Sequence, residues 1–154
     1  MKILVCISSV PDTTSKINFT ADDTRFDSTG VQFVINPNDE FGLTRAMWFK
    51  EKQGAVVHIA TVGDQSVEPT MRKALAIGAD EGIRVDAVPT DGLFVARQLA
   101  EVVKKGEYDL VIAGRNRRLA AECHGQSCVE RFTPLLRTVR FTDLRFVELL
   151  IIVH

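Results

Sequence analysis

The chain has 154 residues, of which 45% are hydrophobic and 25% charged, and a net charge of -1. That is long enough for one domain with a real core, and the charge excludes any general attraction to nucleic acid or an anionic membrane. Three cysteines, Cys6, Cys123 and Cys128, form neither a disulfide framework nor a metal-type spacing.

Met1-Lys2-Ile3-Leu4-Val5-Cys6-Ile7 reaches polar Ser8-Ser9 too soon for the apolar segment of a signal peptide. No stretch approaches the length of a membrane span, so a reducing cytoplasm is the expected setting. Ile3 to Ile7 is a continuous apolar run, as in a strand buried on both faces of a parallel sheet. Ser8 to Thr14 ends it, and residues 16–30 follow without helical period. Asp27-Ser28-Thr29-Gly30 is turn chemistry before a strand, Val31 to Ile35, and a hairpin beside the main sheet is expected there.

Asn36-Pro37-Asn38-Asp39-Glu40 is a helix start: Asn accepts from free amides, Pro suits the first turn, and acids suit the dipole. This helix runs to Gln53-Gly54. Ala55 to Val62 is the next strand, Gly63 to Ser66 a turn, and Val67 to Ile77 a helix closed by Gly78. Gly82 to Val85 is a third sheet strand, Leu93 to Val103 a helix, and Tyr108 to Ala113 a fourth strand ending at Gly114. Strands separated by helices predict βαβ units and an open, mainly parallel α/β sheet flanked by helices.

Ligands of such sheets sit at the carboxyl ends of strands. Four ends qualify: Cys6-Ile7-Ser8, Asn36 to Asp39, Thr61 to Asp64, and Ala113-Gly114-Arg115. Neither a G-x-G-x-x-G nor a Walker loop is present. His58 lies inside an apolar strand and reads as a satisfied core or edge residue. His124, between Cys123 and Cys128, lacks a fourth ligand for a metal. Asp39-Glu40 reads as a helix N-terminus rather than an acid/base pair, and Trp48-Phe49 as packing. No catalytic chemistry is expected of this chain alone.

Met1 to Ile7 with Val10-Pro11-Asp12-Thr13, Ile35 to Phe41, Arg72-Lys73-Ala74-Leu75-Ala76-Ile77-Gly78-Ala79-Asp80, and Tyr108 to Gly114 together resemble the beta subunit of electron transfer flavoprotein, in order over residues 1–114. The resemblance implies a Rossmann-like fold of the adenine-nucleotide alpha-hydrolase type. It also implies pairing with an alpha subunit that holds most of a shared FAD, and electrons accepted from flavin-dependent dehydrogenases. The beta subunit itself would bind AMP, or a second FAD. Positions matching nucleotide-contacting motifs are Cys6, Asn36, Pro37, Asn38, Asp39, Val62 and Gly114. A different class, a stand-alone nucleotide-binding module similar to universal stress proteins, would carry a Gly-rich phosphate loop, which is not found here.

At Gly114-Arg115 the composition changes. Residues 1–115 hold 13 Lys/Arg against 16 Asp/Glu, whereas 116–154 hold 6 Arg, no Lys and 4 acids. The resemblance implies an acidic, Gly- or Gln-rich phosphate loop after Gly114, and Arg115-Asn116-Arg117-Arg118 stands in its place. Residues 115–154 are therefore read as an atypical tail, without the family's later regions. One account is more than one slip of reading frame: from the third base of the Arg115 codon, the codons for Asn116 to Ala121 can spell Glu-Ser-Ala-Thr-Gly-Gly, and in a different frame, from the second base, those for Ser127 to Arg131 can spell Ala-Ala-Leu-Asn-Val. The other is a lineage-specific ending that folds, with a helix over Ala120 to Phe132 and a strand over Val147 to Val153 that needs burial. Translating the coding DNA in all three frames past codon 114 decides between them, and a family-like continuation is the expected result.

Overall fold

A computed structural model describes residues 1–20 and 26–114, together with the backbone of Thr138–Phe141 and Leu149–Val153. Its centre is a sheet whose parallel strands are β1 (Lys2–Cys6), β6 (Val56–Val62), β7 (Glu81–Val85) and β8 (Leu110–Gly114), in the order β7-β6-β1-β8. The expected parallel sheet is thus present, and β1 lies at its middle, paired with β6 on one side and β8 on the other. Apolar residues on both faces explain why β1 reads as an unbroken run rather than an alternating one.

The faces separate by residue parity. Ile3, Val5, Val57 and Ile59 share one buried cluster with Leu43 and Ala46 of α1 (Pro37–Gln53) and with Met71 and Ala74 of α2 (Glu68–Ile77). Leu4, Cys6, Ala60 and Val62 share the other with Ala96, Leu99, Ala100 and Val103 of α3 (Gly92–Gly106). The chain steps outward from β1 through α1 and α2, then crosses back on the other face through α3 to reach β8. The reversal leaves a topological switch point between the carboxyl ends of β1 and β8.

The helix boundaries follow their capping chemistry. Asn36 caps α1 and accepts from the Asn38 amide, while Gly54 ends it in the left-handed region at φ 64°, donating to the carbonyls of Lys50 and Phe49. Asp91 caps α3 through the Phe94 amide at 2.8 Å. Lys50, in the last turn of α1, reaches the Gly78 carbonyl at 2.8 Å and Asp80 at 2.5 Å, and Asp80 in turn accepts from the Val57 amide. These bonds hold the Asp80 carboxyl below the ordinary carboxylate range.

Several elements were not foreseen. Ser9–Pro11, expected only to end the first strand, forms β2, which pairs antiparallel with β5 (Phe33–Ile35). The expected hairpin beside the sheet is therefore a ladder closed across more than twenty intervening residues. A second small ladder joins β3 (Asn18–Phe19) to β4 (Phe26–Asp27). In the tail, β10 (Leu149–Val153) pairs antiparallel with β8, and β9 (Thr138–Phe141) pairs with β10. The apolar terminal run therefore finds a sheet partner. The expected helix over residues 120–132, and His124 with its neighbouring cysteines, lie outside the described residues.

His58 is a satisfied core residue. Its Nδ1 lies 3.0 Å from the Tyr108 hydroxyl and 3.5 Å from Glu81, at the end of the sheet opposite the strand carboxyl ends. Phe49 packs against the first cluster as expected, whereas Trp48 is 40% exposed, with the Arg45 guanidinium 4.4 Å from its ring centre. Among the described residues, no helix is long and apolar enough to cross a membrane.

Leu43 is fully buried between α1 and the sheet. Leu43→Ala is expected to cost about 2–5 kcal/mol of unfolding free energy, read as a lowered urea midpoint with an unchanged slope.

Candidate functional site

Two structures occupy the carboxyl ends of the parallel strands, and Ser8 belongs to both. The first is a knot at the switch point. Asp39, in the first turn of α1, is buried and accepts three hydrogen bonds: from the Ser8 amide at 2.9 Å, the Ser8 hydroxyl at 2.6 Å and the Gly114 amide at 3.1 Å. One carboxylate thereby ties the ends of β1 and β8 to the start of α1. Asn36 reinforces the tie, its amide donating to the Ser8 carbonyl at 2.9 Å and its side chain to the Ser8 hydroxyl at 3.2 Å.

Burial pushes the Asp39 carboxyl up to about 6, against the opposing pull of its bonds from Ser8 and Gly114. Cys6, just before this knot, is buried, and desolvation followed by the nearby Asp39 charge raises its thiol to about 12. It is a neutral packing thiol rather than a nucleophile.

The first turn of α1 is closed on itself. Pro37 has no amide hydrogen, the Asn38 amide donates to the Asn36 side chain at 3.1 Å, and those of Asp39 and Glu40 donate to the Asn36 carbonyl at 2.9 Å each. An anion near this end would meet the positive end of the helix dipole rather than a row of open amides.

The second structure is a cavity of about 320 Å³ beside the knot, at the low end of small-molecule sites. Ile7, Val62, Val67, Val95 and Leu99 supply apolar walls, and Ser8, Ser9, Thr61 and Ser66 supply hydroxyls. Among the described residues Asp64 is the one charged side chain on the lining; hydrogen bonds from the Ser66 hydroxyl and then from the Ser66 amide, at 2.9 Å, hold its carboxyl below the ordinary carboxylate range. Such a donor set suits a flat, uncharged heterocycle with hydroxyl groups attached. Among the described residues this lining has no cationic side chain for a phosphate.

Of the residues expected to contact a ligand, Val62 lines the cavity. Cys6, Asn36, Asp39 and Gly114 are gathered instead in or beside the knot, with Pro37 and Asn38 in the adjoining helical turn. Gly114 is glycine for a packing reason: a Cβ there would lie 2.6 Å from the Asn38 carbonyl carbon and 2.7 Å from the Asp39 nitrogen. Ser8 and Asp64 stood within the strand ends singled out by pattern, so a signal for them existed. Val88, Pro89 and Val95 come from beyond β7 and from α3, and no local pattern could have brought them here.

The knot makes two expectations. Because the folded-state value of Asp39 lies above the ordinary 3.8, folding takes up a proton between about pH 4 and about pH 6. Its stabilising contribution is then fully present below that window and is lost as pH rises through about 6, by on the order of 2 kcal/mol. Asp39→Asn should flatten this slope in urea midpoints taken at about pH 4.5 and about pH 7.5, while lowering both because an amide cannot accept all three bonds. Gly114→Ala should cost about 1–3 kcal/mol at any pH, since the added methyl meets backbone that cannot swing away.

The electron transfer flavoprotein domain model matches residues 23–127. The chain is 34% identical over 118 residues to the electron transfer flavoprotein subunit beta of Thermoanaerobacterium thermosaccharolyticum, a match covering 75% of this chain and 45% of that relative. It is 37% identical to the subunit beta of Dictyostelium discoideum over 117 residues, 75% of this chain and 47% of that one. To the human subunit beta it is 36% identical over 121 residues, 75% and 48% respectively. The chain thus spans about half the length of the curated relatives it matches. With two thirds of its residues under the domain model and a parallel sheet of the expected kind beneath them, the chain belongs to the electron transfer flavoprotein family, among its beta subunits.

Proposed function

We propose that this chain is the beta-type half of an electron carrier: it pairs with an alpha subunit and holds an adenine nucleotide, AMP or the adenosine end of a second FAD, in the cavity at the ends of β1 and β6. The observation that carries the reading is the cavity itself, lined by apolar side chains together with hydroxyls, in a chain of a flavoprotein family. FAD, when bound, supplies the electron-carrying chemistry; the chain's own residues bind and orient.

Val62 and Ile7 face the heterocycle, and Ser8, Ser9, Thr61 and Ser66 supply hydroxyls for polar contacts. Asp64 disfavours a phosphate inside the cavity, because its carboxylate would lie beside a second negative charge. The phosphate end of the ligand is therefore assigned to the side of the cavity facing the start of α1, where Asn36, Pro37 and Asn38 carry the positive end of the helix dipole, while Asp39 and Gly114 hold that end in place from within the knot. Cys6 contributes shape and backbone, its thiol being neutral and buried. Electrons come from flavin-dependent dehydrogenases in this reading, and no residue of the chain acts as a catalyst. In this reading the chain works in the cytoplasm.

Calorimetric titration of the chain with AMP is expected to give a micromolar Kd. Gly63→Val should weaken it tenfold or more, because a Cβ at Gly63 already lies 2.6 Å from Val67 Cγ1 on the cavity wall. Absence of heat with the folded wild-type chain would remove the nucleotide assignment. Co-purification with a co-expressed alpha subunit, carrying visible flavin absorbance, tests the pairing separately.

A further inference from the structure

We infer that Arg84 is a positioning residue for this cavity: its guanidinium holds the wall from Gly63 to Val67 in shape through the Gly63 carbonyl, without itself touching the ligand. The inference rests on the nucleotide reading above only for what the cavity holds. Gly63, Asp64, Ser66 and Val67 all line the cavity, and Arg84 does not. Their conformation is set from outside. The Gly63 amide donates to the Val85 carbonyl at 3.0 Å, and Arg84 Nη1 donates to the Gly63 carbonyl at 3.2 Å, so both backbone polar groups of one residue, on two successive peptide links, are held by the end of β7.

Two carboxylates aim that guanidinium. Nη1 also donates to Asp86 at 2.9 Å, and Nε lies 3.9 Å from Glu68 in the first turn of α2. The side chain is 23% exposed, lying between the loop after β6 and the start of α2. The planar guanidinium holds these directions in a fixed, pre-organised geometry, whereas a lysine ammonium would have to be ordered on a flexible stem. The wall needs such a clamp because Gly63 has no side chain to pack and β7 is the outer strand of the parallel sheet. Val67 presses directly on Gly63, so a shift of this peptide moves an apolar wall of the cavity as well as Asp64.

The test uses the full chain carrying Arg84→Gln, with hydrogen exchange and calorimetry as parallel readouts. Exchange at the Gly63, Ser66 and Val67 amides is expected to speed up roughly five- to tenfold, while core strand amides keep their protection. Affinities for AMP and for adenosine should fall by the same factor, roughly three- to tenfold, because the wall and not the phosphate is affected. Arg84→Lys should recover part of both effects, since an ammonium can still donate to the Gly63 carbonyl. Unchanged exchange overturns the inference. So does a loss confined to AMP with adenosine unaffected, which would make Arg84 a phosphate ligand. Faster exchange in a chain whose wild type binds neither compound supports the clamp and removes the nucleotide reading instead. Should Arg84→Gln lower the folded yield, Asp86→Asn, which frees the guanidinium without deleting it, is expected to give the same exchange pattern in smaller measure.

Discussion

Everything at the ligand end of this protein depends on where one buried carboxylate sits. Asp39 accepts from the Ser8 amide and hydroxyl and from the Gly114 amide, and so closes the gap between β1 and β8 left by the reversal of chain direction. In an open α/β sheet that gap is where amides remain unpaired and where ligands are drawn. Here the protein meets those amides with its own anion. The consequence is a division of labour: the switch point is sealed by protein, and the open cavity lies one strand over, between the ends of β1 and β6.

The burial of Asp39 has a cost that the geometry explains. Removing a carboxylate from water disfavours its charged form, and only bonds to that form and the adjacent helix terminus offset the loss. The backbone is shaped around this arrangement. Gly114 brings its peptide against Asn38 and Asp39 at distances no side chain would permit, and Asn36 spends its amide on Ser8. A residue type that resembles a ligand contact in sequence can thus be required by the protein's own interior. The neutral Cys6 thiol, raised by the same desolvation, is a further instance.

The opposite end of the sheet and the outer strand show the same economy of polar groups. His58, Tyr108 and Glu81 satisfy one another where β6 would otherwise bury an unpaired ring. Asp80 joins α1 to β6 through Lys50 and the Val57 amide. Arg84 does for the loop after β6 what Asp39 does for the switch point, but from outside and with a cation. Cavity shape is therefore governed by charged groups that are not on its surface.

The sequence by itself determined the succession of elements, because each rests on local chemistry. Asn36-Pro37 and Gly54 bound α1 within a residue of where their capping preferences place them, and the unbroken apolar runs mark strands covered on both faces. Membership of the flavoprotein family was likewise legible, in Asn36 to Phe41 and in Arg72 to Asp80. Only the tertiary structure decided the pairing of β2 with β5, the placement of Leu149–Val153 against β8, and the inclusion of Val88, Pro89 and Val95 in one cavity with Ser8 and Val62. It also decided that Asp39 and Gly114 are hydrogen-bonded to each other. The reason is physical: caps and periodicity act within one or two turns of chain, whereas a hydrogen bond between Asp39 and Gly114 exists only after three crossovers have brought β8 beside β1.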